Sequence, residues 1–427
     1  MNTKIPFFLV AIFALSGFAF GSTNLTKLAQ QAVVGNDIES AEAIRSLRSK
    51  KQAGLDAVFA TYGGDIDAYR TSGVRSQNWE RITFVLDQVA MQKDAYSSRL
   101  FWHTDLAEAM REAKIRNKKI VSLRLLGDLN DEYSCANSRL FRSILYSDPA
   151  VAKTLRKDYV LHWKSVRPAP KITIDFGDGR KLVRTITGNS IHYILSSSGR
   201  IIDALPGLYD PATFGRYLAE AGVLETQEFA EFRTFDIYRL RKGKALVEDW
   251  DRRMKLLGRD TRNRPSQERD VVVPETGRLG ALPAMLRTVT KSAIEAPAVL
   301  ALMPQIELLR KNTEIDDWKT LADVGEPVQF RKESIALIRS KSGDISDYEF
   351  ERLIQNLKAY VAIDTVQNEF RFHLTIMSWL GPFASVDPEA FNKRVYSELF
   401  LTPESDKWLG LYSPDIYSAI KNNGLIK

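Results

Sequence analysis

Residues Ile191–Leu218 read IHYILSSSGRIIDALPGLYDPATFGRYL, and this stretch decides the fold. Ile191–Leu195 (IHYIL) is a strand by its β-branched and aromatic content. Ser196–Gly199 is a short turn, and Arg200–Ala204 (RIIDA) is the strand that returns from it. Pro211–Ala221 is a closing helix with proline in its first turn. Upstream, the helix Asp105–Lys114 ends at Asn117-Lys118-Lys119 and leads into the strand Ile120–Leu126 (IVSLRLL). A polar loop, Gly127–Ser134, precedes a helix over Cys135–Tyr146, and Asp148-Pro149 starts another over Ala150–Lys157. Tyr159–Val166 is a second strand, and Lys171–Phe176 and Arg180–Thr187 flank a hairpin-type turn at Gly177-Asp178-Gly179. Alternating strands and helices, then a hairpin and a last helix, predict an α/β domain over 101–222, a mixed sheet with helices on both faces.

The flanks read as mainly α-helical. In the N-terminal region, 22–100, Leu25, Leu28, Ala29, Ala32 and Val33 share a stripe, and Trp79–Met91 is amphipathic. In the C-terminal region, 223–427, helical periodicity covers Pro283–Arg287, Ser292–Lys311, Ser334–Ser340, Asp347–Tyr360 and Val366–Leu380. The stretch 258–280 lacks periodicity and is a polar linker or long loop.

The chain has 427 residues, is 44% hydrophobic and carries a net charge of +7. Its mean hydropathy of −0.23 excludes a polytopic membrane protein. One cysteine excludes a disulfide framework and any thiolate-built metal centre, and four histidines leave little for another. No metal and no cofactor is expected. The basic residues concentrate over Arg233–Arg269, interrupted by Asp236, Glu248, Asp249, Asp251 and Asp260, which reads as a solvated helix face rather than a nucleic-acid surface. Lys4, the apolar run Ile5–Phe20 and Ala19-Phe20-Gly21 form a signal peptide over 1–21, with cleavage before Ser22. The run is shorter than the roughly 20 residues of a membrane-spanning helix. The expectation is an exported protein, periplasmic or secreted, with no stable membrane insertion after cleavage.

The segment Trp102–Gly222 resembles a thioredoxin-like domain. The approach DLAEAMREAK to Asn117-Lys118-Lys119 and IVSLRLL is similar to the approach to a thioredoxin active site. The helix that follows opens with Cys135-Ala136-Asn137-Ser138, where thioredoxins place Cys-x-x-Cys. The stretch 191–218 resembles the family's C-terminal hairpin and final helix. Two departures stand out: Ser138 replaces the second cysteine, and Asn189-Ser190 stands where the family carries a proline facing the cysteines. The resemblance therefore implies the fold more strongly than it implies redox activity.

Three residues carry the candidate chemistry: Cys135, Ser138 and Arg139. A cysteine at a helix start gains from the macrodipole, and Arg139 one turn on adds to this, while Asp128, Asp131 and Glu132 oppose it. A lone thiolate attacking a disulfide stops at the mixed disulfide, because Ser138 is no resolving thiol. Slow alkylation of Cys135 at neutral pH is expected. His103, His162 and His192 read as structural histidines rather than base partners. Glu369 and His373 share one helix face at i, i+4 without a further spaced ligand, and Asp175, Asp178 and Asp203 lie near turns. The C-terminal aromatics Tyr396, Phe400, Trp408, Tyr412 and Tyr417 read as packing residues or as a recognition groove. Three functions follow. The first is a binding or scaffolding module without dithiol turnover, acting on a protein partner. The second is a monothiol thiol–disulfide oxidoreductase using Cys135. The third is a helical adaptor that recognises a partner through its aromatic C-terminus.

Overall fold

The computed structural model describes residues 13–186, 188–224, 231–260, 291, 294–295, 315–381, 386–408, 419–421 and 425. The chain divides into two compact units, Met1–Trp102 and His103–Lys427. The first unit is helical, with α1 (Phe13–Val34), α2 (Asp37–Ser49), α3 (Gln52–Thr61), α4 (Gly63–Ser72), α5 (Trp79–Ala90) and the single turn α6 (Ala95–Ser98). Asn36 starts α2 with a full capping box: its side chain accepts from the Glu39 amide, and Glu39 reaches back to the Asn36 amide. The apolar stripe closes a core of Ala29, Ala32, Leu47, Leu55, Val58, Ile82, Leu86 and Val89, all at 1% exposure or less. The expected cleavage position at Gly21-Ser22 falls inside α1.

The second unit is mixed α/β. Its five-stranded sheet has the order β1-β3-β2-β6-β7, built from β1 (Trp102–His103), β2 (Lys119–Leu126), β3 (Tyr159–Arg167), β6 (Ile191–Leu195) and β7 (Ile201–Pro206). β2 pairs in parallel with β3, Lys119 opposite Tyr159. β2 runs antiparallel to β6, with Leu123 opposite His192, and β6 antiparallel to β7, with Tyr193 opposite Ala204. Every residue of β2 is buried, Lys119, Ser122 and Arg124 included, as befits a strand paired on both edges at the centre of the sheet. The β6–β7 turn closes through Ser196 and Arg200, with Gly199 at φ +85° supplying the left-handed position. β4 (Lys171–Asp175) and β5 (Lys181–Thr185) form a separate two-stranded ribbon.

Around the sheet lie α7 (Leu106–Ile115), α8 (Ala136–Leu140), α9 (Pro149–Asp158) and α10 (Pro211–Gly222), followed by α11 (Glu231–Leu256). Further along come α12 (Ile315–Asp323), α13 (Lys332–Lys341), α14 (Asp347–Gln367), α15 (Leu374–Leu380) and α16 (Pro388–Arg394). Two expectations need correction. The helix over Cys135–Tyr146 is α8 followed by a π-helical turn, Phe141–Leu145, where the hydrogen-bonding step lengthens by one residue. The two periodic stretches 347–360 and 366–380 are one continuous helical run, with a π-helical turn at Asn368–His373 between α14 and α15. Val361, Ile363, Asp364, Thr365, Val366 and Gln367 are all buried, so no solvent face marks the period there. Pro283–Arg287, most of Ser292–Lys311, and 261–280 of the linker lie outside the described residues. Among the described residues no helix is long and apolar enough to cross a membrane.

The basic stretch on α11 is paired within the chain. Lys242 meets Glu220, Arg239 meets Asp236, and Arg252 and Arg253 share Asp249.

Candidate functional site

Cys135 ends the loop that leaves β2. Its amide donates to Leu126 O at 3.1 Å, which ties the residue to the end of the strand. It is the N-cap residue of α8 and has no solvent exposure. Ser138, one turn on, donates its hydroxyl to Cys135 O at 2.8 Å. The Ser138 proton is therefore spent on the backbone, and its Oγ accepts from the thiol at 3.4 Å. Ser190 Oγ lies 3.0 Å from Sγ on the other side. Two serine hydroxyls thus flank the sulfur. Arg139 turns elsewhere: its Nη2 donates to Thr185 Oγ1 of β5 at 3.0 Å. Burial pulls its guanidinium below the ordinary arginine range, and the charges of Glu295 and Cys135 act against that.

The segment 188–190 closes the site. A Cβ on Gly188 would lie 2.5 Å from Ala136 N and 3.0 Å from Cys135 Cβ, so only glycine allows this approach. Asn189 Nδ2 donates to Phe400 O at 3.1 Å, and Tyr396 Oη donates to Asn189 O at 2.9 Å. The C-terminal aromatics Tyr396 and Phe400, at 2% and 1% exposure, thereby hold the segment over the cysteine. Trp408 is exposed, and Tyr412 and Tyr417 lie outside the described residues.

Sequence reasoning missed a charged group behind the thiol. Lys291 is fully buried, with Nζ 5.8 Å from the Phe400 ring centroid. Burial pushes its ammonium below the ordinary lysine range, while Glu295, Asp364 and Cys135 act to hold it up. Lys291 and Glu295 are four residues apart, but nothing local ties them to Asp364 or Cys135, which lie 69 or more residues away. The acidic loop before Cys135 is partly neutralised: Lys341 meets Glu132 at 2.9 Å, and Lys171 lies 3.7 Å from Asp131. Arg142 anchors that loop through Nη1 to Leu129 O at 3.0 Å, Asp131 O at 2.7 Å and Ser134 Oγ at 3.1 Å. Arg142→Ala leaves the buried Leu129 carbonyl and the part-buried Asp131 carbonyl without their cationic donor. It is expected to cost about 2–3 kcal/mol and to speed proteolysis within 127–134. Unchanged stability and cleavage rate would refute this anchoring role.

The histidines are hydrogen-bonded within the core. His162 Nδ1 lies 2.8 Å from Ser122 Oγ, and burial with the nearby Arg124 charge pulls it down to about 3. His192 Nε2 lies 2.6 Å from Tyr146 Oη, and burial alone pulls it down to about 3. His103 Nε2 lies 3.2 Å from Glu112.

Glu369 and His373 belong to a second buried polar group. His373 Nε2 lies 2.6 Å from Asp203 Oδ1, and Tyr238 Oη donates to Asp203 Oδ2 at 2.7 Å. His373 Nδ1 lies 3.3 Å from Tyr217 Oη, and Tyr217 donates to Glu369 Oε1 at 3.0 Å. Arg216 Nη2 donates to the same oxygen at 2.9 Å. Burial pushes the Glu369 carboxyl up, with Arg216 and Tyr217 acting against it. Asp175 and Asp178, by contrast, stay on the surface and serve the β4–β5 turn through Gly177 N and Arg180. Among the described residues no group of three or more histidine, cysteine, aspartate or glutamate side chains is placed to hold a metal ion. Comparison with family models, with curated proteins and with solved structures finds no match to this chain.

Proposed function

We propose that this is an exported protein whose second unit contains a thioredoxin-like domain used for binding or scaffolding, without dithiol turnover. The sheet order β1-β3-β2-β6-β7 supports the domain reading. So do Cys135 at the start of the helix after β2 and the 188–190 segment packed against it. The absence of turnover rests on one observation: Cys135 has no solvent exposure and is enclosed by Ser138 and Ser190. A thiol must reach a disulfide sulfur to attack it, and a serine cannot resolve the mixed disulfide that follows. Export rests on Lys4, the apolar run Ile5–Phe20 and Ala19-Phe20-Gly21.

A second reading, a monothiol oxidoreductase, draws on the Arg139 and Lys291 charges near the sulfur. In that reaction the Cys135 thiolate displaces one sulfur of a substrate disulfide as a thiolate. An external thiol then releases Cys135 and carries away the other sulfur.

Alkylation with iodoacetamide, read by intact mass, separates the two. Native protein is expected to label slowly at pH 7 and completely in urea, and insulin reduction is expected to match a Cys135→Ser control. Labelling at pH 6 as fast as at pH 8.5, or insulin reduction above that control, would favour the monothiol enzyme. N-terminal sequencing of the exported protein should return Ser22, and a return of Met1 would remove the export reading.

A further inference from the structure

The basic stretch that begins at Arg233 folds as α11, and its ion pairs leave the solvent side of the helix out. Lys242 and Arg239 are buried and paired, with Glu220 and Asp236. Exposed residues recur at Arg233, Ile237, Leu240, Arg241 and Lys244, the three-and-four spacing of one helix face. Among the described residues Arg233 and Arg241 have no ion pair, and Lys244 reaches Glu248 at 3.6 Å. A solvated helix face is ordinarily polar. Two large apolar side chains stand in this one, Leu240 at 71% exposure and Ile237 at 39%.

An open groove of about 490 Å³ runs beside this face. Leu224, just past α10, lines it together with Thr234, Ile237, Tyr238, Arg241 and Ala245 of α11. Val223, at the same end of α10, is 82% exposed. The Lys242–Glu220 pair closes the wall between the two helices and is neutral as a pair, so the remaining charge of the lining is Arg241. From Arg233 to Lys244 the face is about 16 Å long, three turns of helix.

Each feature restricts the occupant. Exposed apolar side chains beside a concave wall gain about 25 cal/mol per Å² by meeting another apolar surface. A groove along a helix accepts the ridge of a second helix, whereas a bilayer surface is flat. The arginines without an ion pair favour carboxylates on that second helix. The face itself carries one nearby carboxylate, Glu248, which already meets Lys244.

We propose that this face of α11 docks an acidic amphipathic helix of a protein partner. The apolar stripe of that helix lies in the groove against Ile237 and Leu240, and its carboxylates meet Arg233, Arg241 and Lys244. The proposal rests on the reading of the chain as a binding module and gives that reading a surface and a class of partner.

The test is fluorescence anisotropy of labelled helical peptides titrated with the full chain. One peptide carries leucine at i, i+3, i+4 and i+7 with glutamate between. A second has lysine in place of glutamate, and a third has alanine in place of leucine. Saturable binding of the leucine–glutamate peptide is expected, weakening as salt is raised, with the other two weaker by about tenfold or more. Ile237→Asp, Leu240→Asp and Arg241→Glu are each expected to weaken it about tenfold. All three positions are exposed, so the fold is retained, as circular dichroism checks. Ile115→Asp, at an exposed apolar position on α7, is expected to bind like the original chain. The proposal is overturned if the leucine–glutamate peptide does not saturate, if the lysine peptide binds as tightly, or if the three variants bind like the original chain. Binding to phosphatidylglycerol vesicles without peptide binding would assign the face to a membrane. Self-association of the full chain that Leu240→Asp abolishes would assign it to a second copy, and either result overturns the proposal. Peptide failure with Cys135 still slow to label removes this surface alone, and fast Cys135 labelling with peptide binding intact removes the no-turnover reading alone.

Discussion

His373→Ala is expected to cost about 2–3 kcal/mol of the second unit's stability, the scale for leaving a buried, hydrogen-bonded carboxylate without one of its partners. Both side chains of the Asp203–His373 pair have no solvent exposure. Burial by itself would raise the Asp203 carboxyl. His373, the Tyr238 hydroxyl and the Ala204 amide outweigh burial and hold it below the ordinary carboxylate range. A depressed folded-state value contributes stability that is present above the unfolded value, near pH 4, and is lost as pH falls through the folded value. Glu369 runs the other way. Its raised value favours the fold below the unfolded value and loses that contribution as pH rises through the folded one. The stability gap between the original chain and Asp203→Asn should therefore be full at pH 7 and shrink below about pH 4. Chemical unfolding of the two chains from pH 3 to pH 8, together with His373→Ala at pH 7, measures both effects. A His373→Ala loss under about 1 kcal/mol, the scale of an exposed pair, would contradict the role given to this pair.

Gly188→Ala should produce the second large effect. The new methyl would sit 2.5 Å from Ala136 N, a backbone atom that cannot turn aside. Either the 188–190 segment or the start of α8 must move. Overpacking of this kind costs about 1–3 kcal/mol. Movement of either element also uncovers the sulfur. Cys135 alkylation in native buffer should then rise by about tenfold or more, in keeping with a 1–3 kcal/mol change in an opening equilibrium. Ala136→Gly in the same background should restore nothing, because the clash is with its amide nitrogen. Labelling unchanged from the original chain would show that the segment does not seal the site.

Parts of this fold are legible in the residues. Ile191–Leu195 and Ile120–Leu126 read as strands because runs of Ile, Val, Leu and Tyr suit a pleat buried on both faces, and they lie there as β6 and within β2. The closing helix from Pro211 is equally legible, since a first-turn proline acts locally, and the structure adds Asp210 as its cap. The π-helical turns at Phe141–Leu145 and Asn368–His373 left no such trace. Each lies among residues buried by the rest of the unit, so packing rather than local preference selects the extra residue.

The candidate site divides in the same way. Cys135 at a helix start, with Ser138 one turn on, is a matter of neighbours along the chain, and the order of residues alone determined it. The order of residues also determined that no second thiol exists. Whether that sulfur meets solvent was decided only by tertiary structure. Ser190, whose hydroxyl lies beside it, is 55 residues away, and Tyr396, which holds Asn189 in place, is 207 residues from its acceptor. Backbone propensities act over a turn of helix or a pair of strands. Desolvation and hydrogen bonding between distant segments depend on which of them the packed core brings together. The same reason applies to Glu369 and His373, whose i, i+4 spacing shows one helix face but not what they meet: Tyr217 on α10 contacts both, and His373 also reaches Asp203 on β7.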